Sequence, residues 1–173
     1  MDTLKTLHIV GFKNSGKTTL IARWVRLLKG KGYSIAVLKH HGHGGQPTMP
    51  NSTTDTMQFF DSGAAVSVVA GGGTVQLLLH DEPDFTGLKE LAAIAKPDIL
   101  FIEGYKKEQG KKVVLLRDTE DWGSLSDLEG IQLIIGCPEI ATSVSHIESR
   151  VDVGQLDSWL FDWVEKEDGD ETV

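Results

Sequence analysis

The sequence predicts an α/β fold, a three-layer sandwich with a mixed, mostly parallel sheet and an inserted β-hairpin, and three observations carry that prediction. The short apolar run Leu7-His8-Ile9-Val10 breaks at Gly11, and Gly16-Lys17-Thr18 with an amphipathic run from Leu20 follows it, giving strand, glycine-bounded loop and helix. Ile35-Ala36-Val37-Leu38 and Ile99-Leu100-Phe101-Ile102 are continuously apolar, as strands covered on both faces are. Two further strand-like runs, residues 66–70 and 74–80, flank Gly71-Gly72-Gly73 and read as a hairpin that interrupts the strand–helix alternation.

In chain order, the first strand is expected over residues 4–10 and the first helix over 17–29, with Leu20, Ile21, Trp24, Val25, Leu27 and Leu28 on its apolar face and Gly30 and Gly32 ending it. With residues 35–38 they form a right-handed βαβ unit. From Lys39 to Thr54, glycines and prolines leave room only for a long loop, which departs from the carboxyl end of the second strand, where ligands of open α/β sheets bind. A short helix over 55–62 has Thr54 as its N-cap, and a helix over 84–95 contains Gly87 and ends before Pro97. Strands over 98–103, 112–117 and 131–136 follow, the last two separated by a polar stretch around residues 118–123. A final helix, about 155–165, carries Leu156, Trp159, Leu160, Trp163 and Val164 as core.

Length and composition suit one nucleotide-binding domain over residues 1–166, with an acidic, disordered tail at 167–173. A net charge of −8 argues against a general nucleic-acid binder, since a phosphate backbone would be repelled except at a local basic patch. The single Cys137 cannot form an internal disulfide. No apolar run is long enough to span a bilayer, and no signal-peptide pattern is present, so a cytoplasmic setting without membrane contact is expected.

Gly11-Phe12-Lys13-Asn14-Ser15-Gly16-Lys17-Thr18 matches the P-loop pattern in the strand–loop–helix context that it requires. In such a loop, successive backbone N–H groups curl around a phosphate, and the following helix points the positive end of its dipole at the same anion. Lys17 would reach the β- and γ-phosphates and the Thr18 hydroxyl would hold Mg²⁺. Glu103, at the tip of a neighbouring strand, is the candidate for orienting the metal and its water; Asp98 begins that strand at the opposite edge and suits the role less. Gly104 and Tyr105-Lys106-Lys107 form a loop able to approach phosphate. The alternative for Glu103 is a strand-end carboxylate meeting solvent.

Lys39-His40-His41-Gly42-His43 allows two readings. Short His-rich tracts bind Zn²⁺ or Ni²⁺, yet neither a cysteine nor an acidic ligand accompanies the imidazoles, and the glycines suit a fixed tetrahedron poorly. The other reading is a loop gripping an anion or a polar heterocycle beside the P-loop. No Asn-Lys-x-Asp guanine motif occurs; Glu139, after the strand ending at Gly136, is either a base contact or part of an ordinary turn.

The residues Gly11 to Thr19, Leu38-Lys39-His40 with His43, Asp55, Gly63-Ala64-Ala65 and Asp98 to Lys106 together resemble the bacterial molybdopterin-guanine dinucleotide biosynthesis protein B (MobB) family over about residues 4–165. That resemblance implies a dimeric P-loop protein that binds GTP and Mg²⁺, is at most a slow GTPase, and assists a MobA-like nucleotidyltransferase in attaching a guanine nucleotide to molybdopterin. Carried over by position, Gly11, Lys13, Asn14, Ser15, Gly16, Lys17, Thr18 and Thr19 bind phosphate, Thr18 and Glu103 serve Mg²⁺, and Lys39, His40, His43, Asp55 and Lys106 line the site. Gly44-Gly45 stands where the family often has an acidic residue. Two other functions compete: a metallochaperone GTPase delivering Ni²⁺ or Zn²⁺ through the His loop, and a small-molecule kinase. The kinase reading lacks an arginine-rich lid, since Arg23, Arg26, Arg117 and Arg150 are scattered along the chain.

Overall fold

The computed structural model describes residues 4–42 and 45–166, so the tail at 167–173 and His43 lie outside the described residues. The elements in order are β1 (Lys5–Gly11), α1 (Lys17–Gly30), β2 (Ile35–Lys39), α2 (Asp55–Asp61), β3 (Val66–Gly71), β4 (Thr74–Leu79), α3 (Phe85–Ala92), β5 (Ile99–Glu103), β6 (Lys112–Leu115), α4 (Thr119–Leu125), β7 (Ile131–Ile135), β8 (His146–Ile147) and α5 (Val153–Glu165). The described residues fall into two compact units: those up to His40 together with those from Ala92 onward, and those between His41 and Leu91.

The first unit holds a six-stranded sheet in the order β2-β5-β1-β6-β7-β8, parallel at every pairing. Alternate residues of its strands feed two cores, because successive side chains of a strand point to opposite faces. Leu7 and Ile9, Ile99 and Phe101, Val113 and Leu115, and Leu133 and Ile135 pack with Leu20, Trp24 and Leu28 of α1 and with Leu156, Leu160 and Trp163 of α5. Val10, Val114 and Ile134 face the other way, onto Leu125 of α4 with Trp122 packed alongside. The three layers are therefore α1 with α5, the sheet, and α4. Trp159 stacks on Trp24 at 6.0 Å between centroids, so the tryptophans of α5 are core as expected.

Two elements escape the sequence pattern. The polar stretch at 118–123 contains α4, started by Asp118, whose carboxylate accepts the Asp121 N–H at 3.0 Å. Its helical signal is this cap, not an apolar stripe. β8 is two residues long, too short for any periodicity, and is placed by its pairing with β7.

In the second unit β3 and β4 pair only with each other, Val66 opposite Leu79 and Val68 opposite Leu77. Antiparallel pairing is thus confined to a separate two-stranded sheet, and does not make the main sheet mixed. Its Ser67 face is tied to α2 by a hydrogen bond from the Ser67 hydroxyl to the Thr56 carbonyl at 3.0 Å. Thr54 caps α2 by accepting the Met57 N–H, as expected. Gly87 is required in α3 because a Cβ there would stand 2.8 Å from the Cβ of Pro83.

Leu160 is fully buried between α5 and the sheet. Leu160→Ala is expected to lower stability by about 2–5 kcal/mol, the usual cost of an uncollapsed leucine cavity. Ser158→Ala, on the exposed side of the same helix, should stay within about 0.5 kcal/mol. Urea unfolding followed by circular dichroism measures both.

Candidate functional site

Parallel pairing collects the carboxyl ends of all the main strands at one edge of the sheet. Glu103, the last residue of β5, is in register with Ile9 of β1 on one side and with Lys39 of β2 on the other, while Gly11 pairs with Leu115 of β6. The loop 11–18 therefore leaves β1 with Glu103 and Lys39 on one flank and the end of β6 on the other. This is the crevice outside the strand ends at which open α/β sheets take ligands.

The loop's shape is forced by close packing. At Gly11 (φ +154°) a Cβ would stand 2.6 Å from the Leu115 carbonyl oxygen and 2.6 Å from the Ser15 hydroxyl, so only glycine fits. Asn14 (φ 64°) and Gly16 (φ 97°) are left-handed, which gives the loop the local twist of an anion-binding nest. Lys17 folds back along the loop and donates to the Phe12 carbonyl at 2.7 Å. Burial pushes its ammonium below the ordinary lysine value; Glu103 pulls the other way, and Lys106, Lys39 and Arg117 add to the depression.

Glu103 is buried, and both of its oxygens are engaged: Oε2 accepts the Thr18 hydroxyl at 3.0 Å and Oε1 lies 3.3 Å from the Lys39 ammonium. The pairing of Thr18 with Glu103 and the approach of Lys39 bring together residues up to 85 positions apart. Asp98 sits at the other end of β5, where it accepts the Ser34 N–H at 2.7 Å, a local strand cap. His40 donates its backbone N–H to the Glu103 carbonyl at 3.0 Å and sets its ring 4.8 Å from that of Tyr105. Lys13, Thr18 and Thr19 are exposed on the loop and the first turn of α1, and Ser15 is fully buried. Asp55 opens α2 in the second unit. Among the described residues no group of three His, Cys, Asp or Glu side chains is placed to hold a metal ion.

Several members of this site were not singled out from the sequence. Phe12 carries two cations on its ring, Lys106 at 4.0 Å and Arg117 at 5.3 Å. Arg117 follows β6 and is held by Asp121 through Nε at 2.9 Å, Nη2 at 2.6 Å and its own backbone N–H at 2.9 Å. The Arg117 pairing holds the Asp121 carboxyl below the ordinary aspartate value. The Lys106 ammonium is lowered, first by burial, with Asp121 opposing and Arg117 adding to the fall. Arg117 also reaches the Lys13 carbonyl at 3.4 Å, and Arg150, between β8 and α5, reaches the Ser15 carbonyl at 3.0 Å. Two arginines that read as scattered thus meet on one loop. Arg117-x-x-x-Asp121 just past a strand end was the visible signal for the first; Arg150 had none.

A glycine loop between β1 and α1, a carboxylate at the tip of the adjacent strand and a parallel sheet with helices on both faces define a P-loop NTPase-like protein. Residues 6–135 match the family profile of molybdopterin guanine dinucleotide synthesis protein B, MobB, and the chain belongs to that family. It is 40% identical over 128 residues, 74% of each chain, to the probable molybdopterin-guanine dinucleotide biosynthesis adapter protein of Bacillus subtilis. Its fold matches the crystal structure of B. subtilis MobB with a TM-score of 0.81 at 32% identity, over 95% of this chain and 100% of that one. The MobB homolog from Bacillus stearothermophilus gives a TM-score of 0.74 at 31% identity over 92% and 97% of the two chains. The role is accordingly that of an adapter in molybdopterin-guanine dinucleotide biosynthesis. Among the described residues no helix is long and apolar enough to cross a membrane.

The Asp121 shift has a pH consequence. A carboxyl whose native pKa is depressed contributes stability that is present above its unfolded value, near pH 4, and is lost as pH falls through the native value. The difference in melting temperature between wild type and Asp121→Asn should therefore be largest at neutral pH and shrink below about pH 4. Melting curves of the two proteins across that range test it.

Proposed function

We propose that the loop from Gly11 to Thr19 binds the phosphates of GTP, and that the protein in this state assists a MobA-like nucleotidyltransferase in attaching the guanine nucleotide to molybdopterin. The observation that carries the reading is the placement of Lys17. Its ammonium is half-buried and donates to the Phe12 carbonyl at 2.7 Å and to the Ser15 hydroxyl at 3.5 Å, neutral acceptors that the charged oxygens of a triphosphate would replace. GTP over ATP rests on family membership, since a P-loop contacts only phosphates.

Thr18 and Glu103 fit Mg²⁺, because a hydroxyl and a carboxylate oxygen already converge at 3.0 Å beside the loop. Those residues would hold the ion, which neutralises charge on the β- and γ-phosphates when bound. Both Glu103 oxygens are engaged, one by the Thr18 hydroxyl and one by the Lys39 ammonium. Slow GTP hydrolysis at most is what family membership leads us to expect of such an adapter. Lys39 and Lys106 add positive charge at the edge where phosphate collects, and Glu103→Gln should keep nucleotide binding while losing most of its Mg²⁺ dependence. In a reconstituted reaction containing the partner, molybdopterin, GTP and Mg²⁺, wild type should raise the yield and Lys17→Ala should not. Equal stimulation by both would remove the loop from the function.

We also propose that the protein acts as a homodimer through the hairpin. Directly opposed residues of an antiparallel pair share a face, so Val66, Val68 and Ala70 lie on one side with Leu79, Leu77 and Val75. Val66, Val68, Val75 and Leu77 are exposed there, an apolar patch and unpaired strand edges of the sort that a second copy covers. Sedimentation should give a dimer at micromolar concentration, and Leu77→Asp should give a folded monomer.

A further inference from the structure

Arg117 and Arg150 come from different strand ends, yet each donates to a carbonyl on the loop 11–18, Lys13 in one case and Ser15 in the other. A trans peptide unit is planar, with its C=O and N–H pointing in opposite directions. Holding the Lys13 carbonyl therefore turns the Asn14 N–H away from Arg117, and holding the Ser15 carbonyl turns the Gly16 N–H away from Arg150. Asn14 (φ 64°) and Gly16 (φ 97°), whose N–H groups belong to these two peptides, both have left-handed backbone. Asp121 holds the Arg117 guanidinium through two hydrogen bonds, and the Arg150 side chain runs within 4.0 Å of where a Cβ on Gly16 would stand.

We infer that Arg150, with Arg117 as its counterpart, is a positioning residue that pre-sets the phosphate loop by pinning alternate carbonyls outward so that alternate N–H groups face an anion. The inference rests on the anion-binding reading of that loop. A loop held in its bound form spends less of its binding energy on ordering itself, so affinity for any polyphosphate should depend on the two arginines.

The test is titration of the full chain with inorganic tripolyphosphate and with a fluorescent GTP analogue, using wild type, Arg150→Met, Arg150→Lys and Arg117→Met. Arg150→Met should bind both ligands about tenfold more weakly, the size of one lost charged hydrogen bond. The factor should be the same for both, because the loss lies in the loop and not in base or ribose contacts. Arg150→Lys, which keeps a cation and a donor, should recover most of the affinity. If Arg150→Met does not fold, Arg117→Met carries the same expectation. Wild-type affinity in the folded variants, a loss seen with the GTP analogue alone, or a lowered melting temperature with unchanged affinity would each overturn the inference. Failure of wild type itself to bind either ligand would instead bring down the anion-binding reading beneath it.

Discussion

The constraint on which this structure depends is the parallel register around β1. With β5 on one side and β6 on the other, the carboxyl ends of three strands reach the same edge, and whatever follows each strand must turn there. β1 turns through Gly11, where the Leu115 carbonyl and the Ser15 hydroxyl leave no room for a side chain. β5 ends in Glu103, which therefore meets Thr18 on the first turn of α1 and Lys39 at the end of β2. β6 leads into Arg117, which meets the opposite side of the loop. One backbone arrangement thus delivers a glycine loop, a carboxylate and several cations to one place without any of them being near in sequence.

Positive charge gathers at that edge. The chain carries a net charge of −8, yet Lys17, Lys39, Lys106, Arg117 and Arg150 converge here. Lys39 is compensated by Glu103 and Arg117 by Asp121. Burial and neighbouring cations hold Lys17 and Lys106 below their ordinary values, with Glu103 opposing at the first and Asp121 at the second. Lys106 rests on the Phe12 ring, 4.0 Å from its centroid.

Much of this was legible in the residues, for reasons that differ by element. Strand, glycine loop and helix over 5–30 form a local pattern with a unique backbone solution, and the continuously apolar strand ending at Glu103 announced a buried parallel strand with a carboxylate at its tip. The union of Thr18, Glu103 and Lys39 followed once the sheet was parallel. The roles of Arg117 and Arg150 were not legible, because they depend on which strands end beside β1, and strand order is decided by packing over the whole chain. α4 was missed because its start lies in a capping carboxylate, and β8 because two residues carry no period. The hairpin was found, but its separation from the main sheet depends on its pairing only with itself, which alternation of apolar residues does not encode.

The central claim is that the backbone amides between Asn14 and Thr18 form the seat of a phosphate chain. At 18.9 kDa the protein is within reach of amide-resolved nuclear magnetic resonance, and a titration with GTP and Mg²⁺ tests the claim most directly. The account predicts that the amide signals of Asn14, Gly16, Lys17 and Thr18 shift first and furthest and saturate together. Signals from these residues that stay in place while shifts gather elsewhere on the chain would contradict it.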